Sequence, residues 1–343
     1  MSLRLGFLTH VNSDDGGPAT ASELYRRTTE LFVVAEELGY DSGWVAQHHF
    51  ASSAGRLPAP LVLLGAIAQH TRTIRLGTAV LLIAVENPVR VAEDAAVLDA
   101  LSDGRLHLGL GTGGDPRTFT AFGVDPERRR EQYAEAVSLL RATLAGRPLP
   151  GGGRLEPERP ELLDRLWQST TGAESAARIS AEHDGLLLAK AAFRTELPTG
   201  QAQLPLVQSY LDGWRGSGPP RIGVSRTVYP AVDRRTAVAQ LREGVIDNVD
   251  QSVGAGLFPP VTSLDGYLAR AHVHAGHPDE VVASLRRDEV VPHASELIVQ
   301  THPGRLGHDQ TIAALELIAT RVAPHLGWRR AEPRRPAVRT GAA

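Results

Sequence analysis

Short apolar runs alternate along this chain with longer stretches in which apolar residues recur every three or four positions, and the beat continues almost to the end. Leu3-Arg4-Leu5-Gly6-Phe7-Leu8 alternates with period two, as a strand does. Thr20-Ala21-Ser22-Glu23 spells a capping box, in which a hydroxyl and a carboxylate satisfy the first free amides of a helix. Leu24, Leu31, Ala35 and Leu38 mark that helix's inner face, and Gly39 ends it. A second strand runs to His48, and Leu61, Leu64, Ile67 and Ala68 line a second helix. Thr73 to Leu82 is almost unbroken apolar sequence, the mark of a parallel strand buried on both faces. Asn87-Pro88 opens a third helix as cap and first turn, and Asp103-Gly104 closes it. Strands follow over 105–111, 166–169, 185–189, 221–228 and 296–300, and helices over 126–145, 173–183, 204–214, 233–249 and 309–322.

Eight strand-helix pairs joined by crossovers, with no hairpin signal, predict an α/β fold of the closed (β/α)8 TIM barrel type more than an open doubly wound sheet. Two stretches break the rhythm and are read as loop insertions: 148–160, rich in glycine and proline, and 254–292, long enough to form part of a lid. The reading is one barrel domain over 1–327 and a disordered C-terminal tail over 328–343, where arginine and proline replace apolar periodicity.

Composition narrows the chemistry. The 343 residues are 42% hydrophobic and 22% charged, with net charge -3, which gives no electrostatic case for nucleic acid or an anionic membrane. Without cysteine there is no disulfide, thiolate nucleophile or iron-sulfur cluster. Lys190 is the sole lysine, so a P-loop cannot be written and only one residue offers Schiff-base chemistry. Strand-like alternation begins at Leu3 with no signal peptide ahead of it, and no apolar run reaches the ~20 residues that span a bilayer. A cytoplasmic protein is the expectation.

Four motifs carry candidate chemistry. Gly43-Trp44-Val45-Ala46-Gln47-His48-His49-Phe50 is an apolar strand ending in two titratable groups, which parallel α/β enzymes place at the catalytic face; a hydrogen-bonded structural pair is the alternative. Gly109-Leu110-Gly111-Thr112-Gly113-Gly114 matches G-x-G-x-x-G, but Asp115-Pro116 and Phe119 to Gly123 intervene before the helix near Pro126, unlike the dinucleotide turn. It reads better as a glycine-lined strand end open to a planar ligand, or as a tight turn. Ser169-Thr170-Thr171-Gly172 meets a helix start, suited to a phosphate or to ordinary capping by a threonine. His272, His274 and His277 lie in an expected loop without a patterned carboxylate, so surface histidines are favoured over a metal cluster.

Together, Gln47-His48-His49-Phe50, the block from Asn87-Pro88-Val89-Arg90-Val91-Ala92-Glu93-Asp94 through Leu98-Asp99 to Leu101-Ser102-Asp103-Gly104-Arg105, and Phe119 to Asp125 resemble the bacterial luciferase-like flavin monooxygenases. The resemblance covers roughly residues 1–190. It implies a barrel that holds reduced FMN, delivered by a separate reductase, and uses O2 to oxidise a small organic substrate through a flavin C4a-hydroperoxide, commonly as a homodimer. It also implies His48, with His49 beside it, as the catalytic histidine; Thr170, Thr171 and Gly172 at the phosphate; and Gly111 and Thr112 where the luciferase alpha subunit has a reactive cysteine and an arginine. A cis peptide at Ala79-Val80 beside the flavin ring follows from the same likeness. Arg226, taken to lie past the seventh strand, is added by position as a phosphate cation. Gln47 stands where the family usually has glutamate, which removes a charge that would raise the pKa of His48. Relatives that use F420 for hydride transfer give a second reading, and a flavin-binding protein without turnover a third.

Overall fold

The structure is a computed structural model that describes residues 3–12, 20–50, 55–301, 303 and 305–330. In chain order its strands and α-helices are β1 (Arg4–Thr9), α1 (Ala21–Leu38), β2 (Ser42–Val45), α2 (Pro60–His70), β3 (Arg75–Thr78), β4 (Leu81–Leu82), α3 (Pro88–Leu101), β5 (Leu106–Gly111), α4 (Pro116–Ala121), α5 (Arg129–Leu144), β6 (Leu166–Ser169), α6 (Ala173–Ala181), β7 (Gly185–Leu188), α7 (Thr199–Gly213), β8 (Ile222–Pro230), α8 (Arg234–Gly254), α9 (Leu264–Arg270), β9 (Val273–Gly276), α10 (Pro278–Arg287), β10 (Glu296–Gln300) and α11 (His308–Leu317). Eight of the strands pair in parallel in the order β1-β2-β3-β5-β6-β7-β8-β10, and β10 returns to β1, closing a (β/α)8 barrel. No helix among the described residues is long and apolar enough to cross a membrane.

Local chemistry explains the elements. Thr20 caps α1 by accepting from the Glu23 amide, Gly39 ends the helix at φ 89°, and the Asn87 side chain accepts from the amides of Val89 and Arg90. The expected single strand over 73–82 is broken into β3 and β4. At the break Thr78 Oγ1 donates to the Gly109 carbonyl at 2.8 Å and accepts from its amide at 2.9 Å, replacing the missing ladder bonds. Pairing then resumes at Leu81 with Leu110. Helix α7 starts at Thr199, ahead of the expected 204, and carries Pro205 inside it.

Two tryptophans from opposite arcs of the barrel fill its interior. Trp44 on β2 and Trp167 on β6 are buried and meet edge to face, with ring centroids 5.7 Å apart. Leu8, Leu187 and Ile298 pack around them, Trp44 Nε1 donates to Glu296 Oε1, and Trp167 Nε1 donates to His107 Nδ1. Neighbouring strands make room with glycine: a Cβ on Gly77 would lie 2.2 Å from the Trp44 ring, and one on Gly185 equally close to Trp167.

The stretch over 254–292 is not the loop expected. It holds α9, β9 and α10, and β9 adds to the outer half of β8, pairing Thr227 with Val273 through Pro230 with Gly276. The inner half of β8 pairs with β10, so one nine-residue strand serves the barrel and the added unit. The histidine motif is corrected with it. His277 caps α10 and is half-buried; His274 is buried with Nδ1 at 2.9 Å from Ser284 Oγ; and His272 Nε2 lies 2.7 Å from Asp288 Oδ2. Asp288 is the carboxylate the local pattern lacked. It takes a forked contact from Arg226 and also accepts from the amides of Val290 and Val291, so its oxygens are committed to a guanidinium. Two residues of the expected tail are held by the fold. Trp328 is buried and donates to Asp41 Oδ2, and Arg330 donates to the Glu37 carbonyl; residues 331–343 lie outside the described residues.

Two outcomes follow for stability. Gly77→Ala forces a methyl into Trp44 and should cost about 1–3 kcal/mol, whereas Gly65→Ala on α2, with open space around its Cα, should gain about 0.5–1 kcal/mol, both read from urea unfolding. Asp288→Ala leaves the Arg226 cation buried and should cost roughly 3–5 kcal/mol, most of it recovered in Arg226→Met/Asp288→Leu.

Candidate active site at the barrel mouth

The barrel strands end on one mouth, and polar groups from several of them meet there. His48 follows β2, and its Nε2 lies 2.9 Å from Nδ1 of His10, which follows β1. His10 Nε2 lies 3.1 Å from Gln300 Oε1 at the end of β10, and Gln300 Nε2 donates to Ser225 Oγ on β8 at 2.7 Å. An amide oxygen only accepts, so with the amide in this orientation His10 donates from Nε2, accepts at Nδ1, and receives the Nε2 proton of His48. The lone pair left on the dyad is His48 Nδ1, which has no hydrogen-bond partner among the described residues.

Burial first, then the neighbouring His49 and Lys190, push the pKa of His48 down to about 4. His10 is held well below its ordinary value by burial and then by His48 and Lys190, outweighing the bond to Gln300. Both rings are neutral at physiological pH. His48 is therefore an acceptor more than a strong base. Gln47 is spent on structure: its Oε1 accepts from the Leu82 amide, and its Nε2 donates to the Pro58 carbonyl and to Glu86. His49 stands outside the dyad, its ring 4.8 Å from that of Phe122 and its Nε2 buried without a partner.

Directly beside the end of β2, the Ala79-Val80 peptide is cis, and a Cβ on Gly111 would come 2.2 Å from Val80 Cγ2, so glycine fits here without displacing Val80. Thr112 follows directly after β5. Neither Thr170 nor Thr171 caps α6. The cap is Gly172, without a side-chain bond, and Thr170 Oγ1 instead accepts from the Gly172 amide at 3.1 Å. The first amides of α6 are thus left for a ligand, with Thr171 and Gly172 exposed beside them.

Arg226 is a correction. It lies within β8, fully buried, and its N–H groups go to Asp288, Gln203, Ala189 and Ser225, which leaves none for a phosphate. Four residues were missed: His10, Ser225, Gln300 and Lys190. The signal available for three of them was the one that marked His48, a polar side chain at the C-terminal end of a barrel strand. A cavity of about 370 Å³ between α5 and α6 lies on the outer face of the barrel, lined by Tyr133, Arg141, Gln168 and Glu182, which bond to one another or to Asp184.

A profile of the luciferase-like monooxygenases matches residues 4–294. N-acetyl-S-alkylcysteine monooxygenase of Bacillus subtilis is 33% identical over 312 residues, covering 83% of this chain and 88% of that one. An uncharacterized protein of Sinorhizobium fredii is 38% identical over 183 residues, where the match spans about half of each chain, 51% of this one and 52% of that one. Two solved structures share the fold: the oxygenating constituent of 3,6-diketocamphane monooxygenase of Pseudomonas putida in complex with FMN, at TM-score 0.73 and 18% identity over 94% of this chain and 98% of that one, and an F420-dependent secondary alcohol dehydrogenase, at TM-score 0.70 and 16% identity over 95% and 99%. With a neutral histidine dyad and an uncapped helix start on one barrel mouth, the chain belongs to the luciferase-like monooxygenase family.

Proposed function

We propose that the chain is a flavin-dependent monooxygenase that uses reduced FMN and O2 to oxidise a small organic substrate. One observation carries the reading: the uncapped start of α6, with Thr170, Thr171 and Gly172, opens on the same mouth as the His10–His48 pair. A phosphate there meets free amides and the positive end of a helix dipole. Ala79, Val80, Gly111 and Thr112 would line the flavin ring, the glycine leaving a flat approach. The flavin, when bound, supplies the oxygen chemistry. The chain contributes orientation and a neutral acceptor: His48 Nδ1 takes a proton or hydrogen bond from the reacting group, and His10 and Gln300 hold its tautomer. A separate reductase would deliver the reduced flavin. A second copy of the chain would cover Val62 on α2 and Val97 and Leu101 on α3, which are apolar and exposed. The second reading, hydride transfer with F420, is supported by F420-dependent neighbours of the same fold.

Fluorescence titration tests the site. FMN should bind more tightly than riboflavin, and Thr171→Glu should weaken FMN roughly tenfold or more while leaving riboflavin unchanged. His48→Asn should keep FMN affinity but lose substrate oxidation. Tight F420 binding with no FMN binding would move the conclusion to the second reading. The dyad also sets a pH dependence. The folded pKa of His48 lies below its unfolded value, so the unfolded chain takes up the proton first and stability is lost as pH falls from about 6.5 toward 4. Urea unfolding across that window should show roughly 2 kcal/mol lost through this residue, and His48→Asn should flatten the slope.

A further inference from the structure

Lys190 is the one lysine in a chain that otherwise uses arginine for every permanent cation, and it stands in the mouth just after β7. Its charge acts on both His10 and His48, so the ammonium lies close to the dyad. Around the barrel the groups divide into two arcs. The ends of β3, β5 and β6 carry Ala79, Val80, Gly111, Thr112 and the phosphate turn, and those of β7, β8, β10, β1 and β2 carry Lys190, Ser225, Gln300, His10 and His48. Lys190 stands at one end of the second arc, next to β6 and the phosphate turn, and His48 at the other end, next to β3.

No hydrogen bond or ion pair reaches its ammonium among the described residues. The flanking groups are engaged: the Ala189 carbonyl accepts from Gln203 and Arg226, and Arg226 is neutralised by Asp288. Glu86 acts on His49 and on none of His10, His48 or Lys190. Burial pulls Lys190 down to about 7, and no carboxylate among the described residues opposes it. The residue nevertheless keeps some accessible surface, as a group deep in an open mouth does. A cation held inside a site without a counter-charge is a place for an anion to bind, and a compact ammonium suits a single carboxylate oxygen.

We propose that Lys190 is the substrate-recognition residue of this mouth and that the organic substrate carries an anionic group, a carboxylate or its equivalent, which docks on Lys190 and sets the reacting atom beside His48. This names the substrate class of the monooxygenase reading and rests on it. Matched pairs test it, benzoate against benzamide and N-acetylmethionine against its primary amide, titrated into the full chain by calorimetry. The acids should bind about tenfold or more tightly than the amides. Lys190→Met should remove that preference by weakening the acids alone, and Lys190→Arg should retain much of it. With a single lysine, ε-13C-lysine labelling marks Lys190 with one side-chain resonance, which benzoate should shift and benzamide should not, without any substitution. Acids that bind no better than amides in the wild type, or a preference that survives in Lys190→Met, would overturn the proposal. So would Lys190→Met losing FMN affinity with the acid preference intact, which would assign the charge to the cofactor. Wild type that prefers acids yet binds no FMN would retain Lys190 as an anion site and sink the flavin reading instead.

Discussion

The barrel depends on two indoles meeting inside it. Trp44 and Trp167 reach inward from β2 and β6, and their rings fill a space that eight strands would otherwise line with smaller side chains. That is possible only because Gly77 and Gly185 present no Cβ where the rings lie. Gly6, Gly109 and Gly223 clear further contacts with Trp44, Leu187 and Trp167. Large residues on two strands and glycines on their neighbours are one constraint expressed twice. Because it fixes which face of each strand looks inward, it also fixes which residue at each strand end looks into the mouth.

The mouth is a set of polar groups that the barrel keeps from ionising. Two histidines in hydrogen-bond contact cannot both take up the second proton of an imidazolium, and burial disfavours even one charge. The Gln300 and Ser225 side chains satisfy the outer end of the pair, so the dyad is neutral and fixed in tautomer rather than strongly basic. Gln47, whose place in the sequence suggested a role in tuning His48, acts on the backbone: it ties the end of β2 to Leu82 just beyond the cis peptide. The end of β2 that carries His48 and the proposed cofactor wall are held in register through that amide.

Outside the barrel, the long β8 couples the active face to the added β9–α10 unit. Arg226 shows why such a unit is more than decoration. A guanidinium buried in a barrel strand needs a carboxylate, and Asp288 comes from the segment that follows α10. Burial by itself would raise the Asp288 carboxyl; the bond from His272, the nearby His274 ring 3.7 Å away and the Arg226 guanidinium hold it well below the usual carboxylate range. The pair anchors the inserted segment to the barrel and removes Arg226 from the list of phosphate ligands.

The sequence by itself determined the eightfold alternation, the helix caps at Thr20 and Asn87, the place of His48 just past β2, which ends at Val45 rather than at His48, and the turn at Thr170 to Gly172, because each rests on neighbours within a few residues. Periodicity of apolar positions reports burial on one face whatever lies opposite. Only the tertiary structure decided that His48 pairs with His10, that His49 turns to Phe122 instead, that Arg226 is consumed by Asp288 from 62 residues away, and that Lys190 stands without a counter-ion among the described residues. These depend on which strand ends become neighbours when the barrel closes, and on how far water is excluded once they do. Both are properties of the closed ring, and no local stretch of sequence carries them.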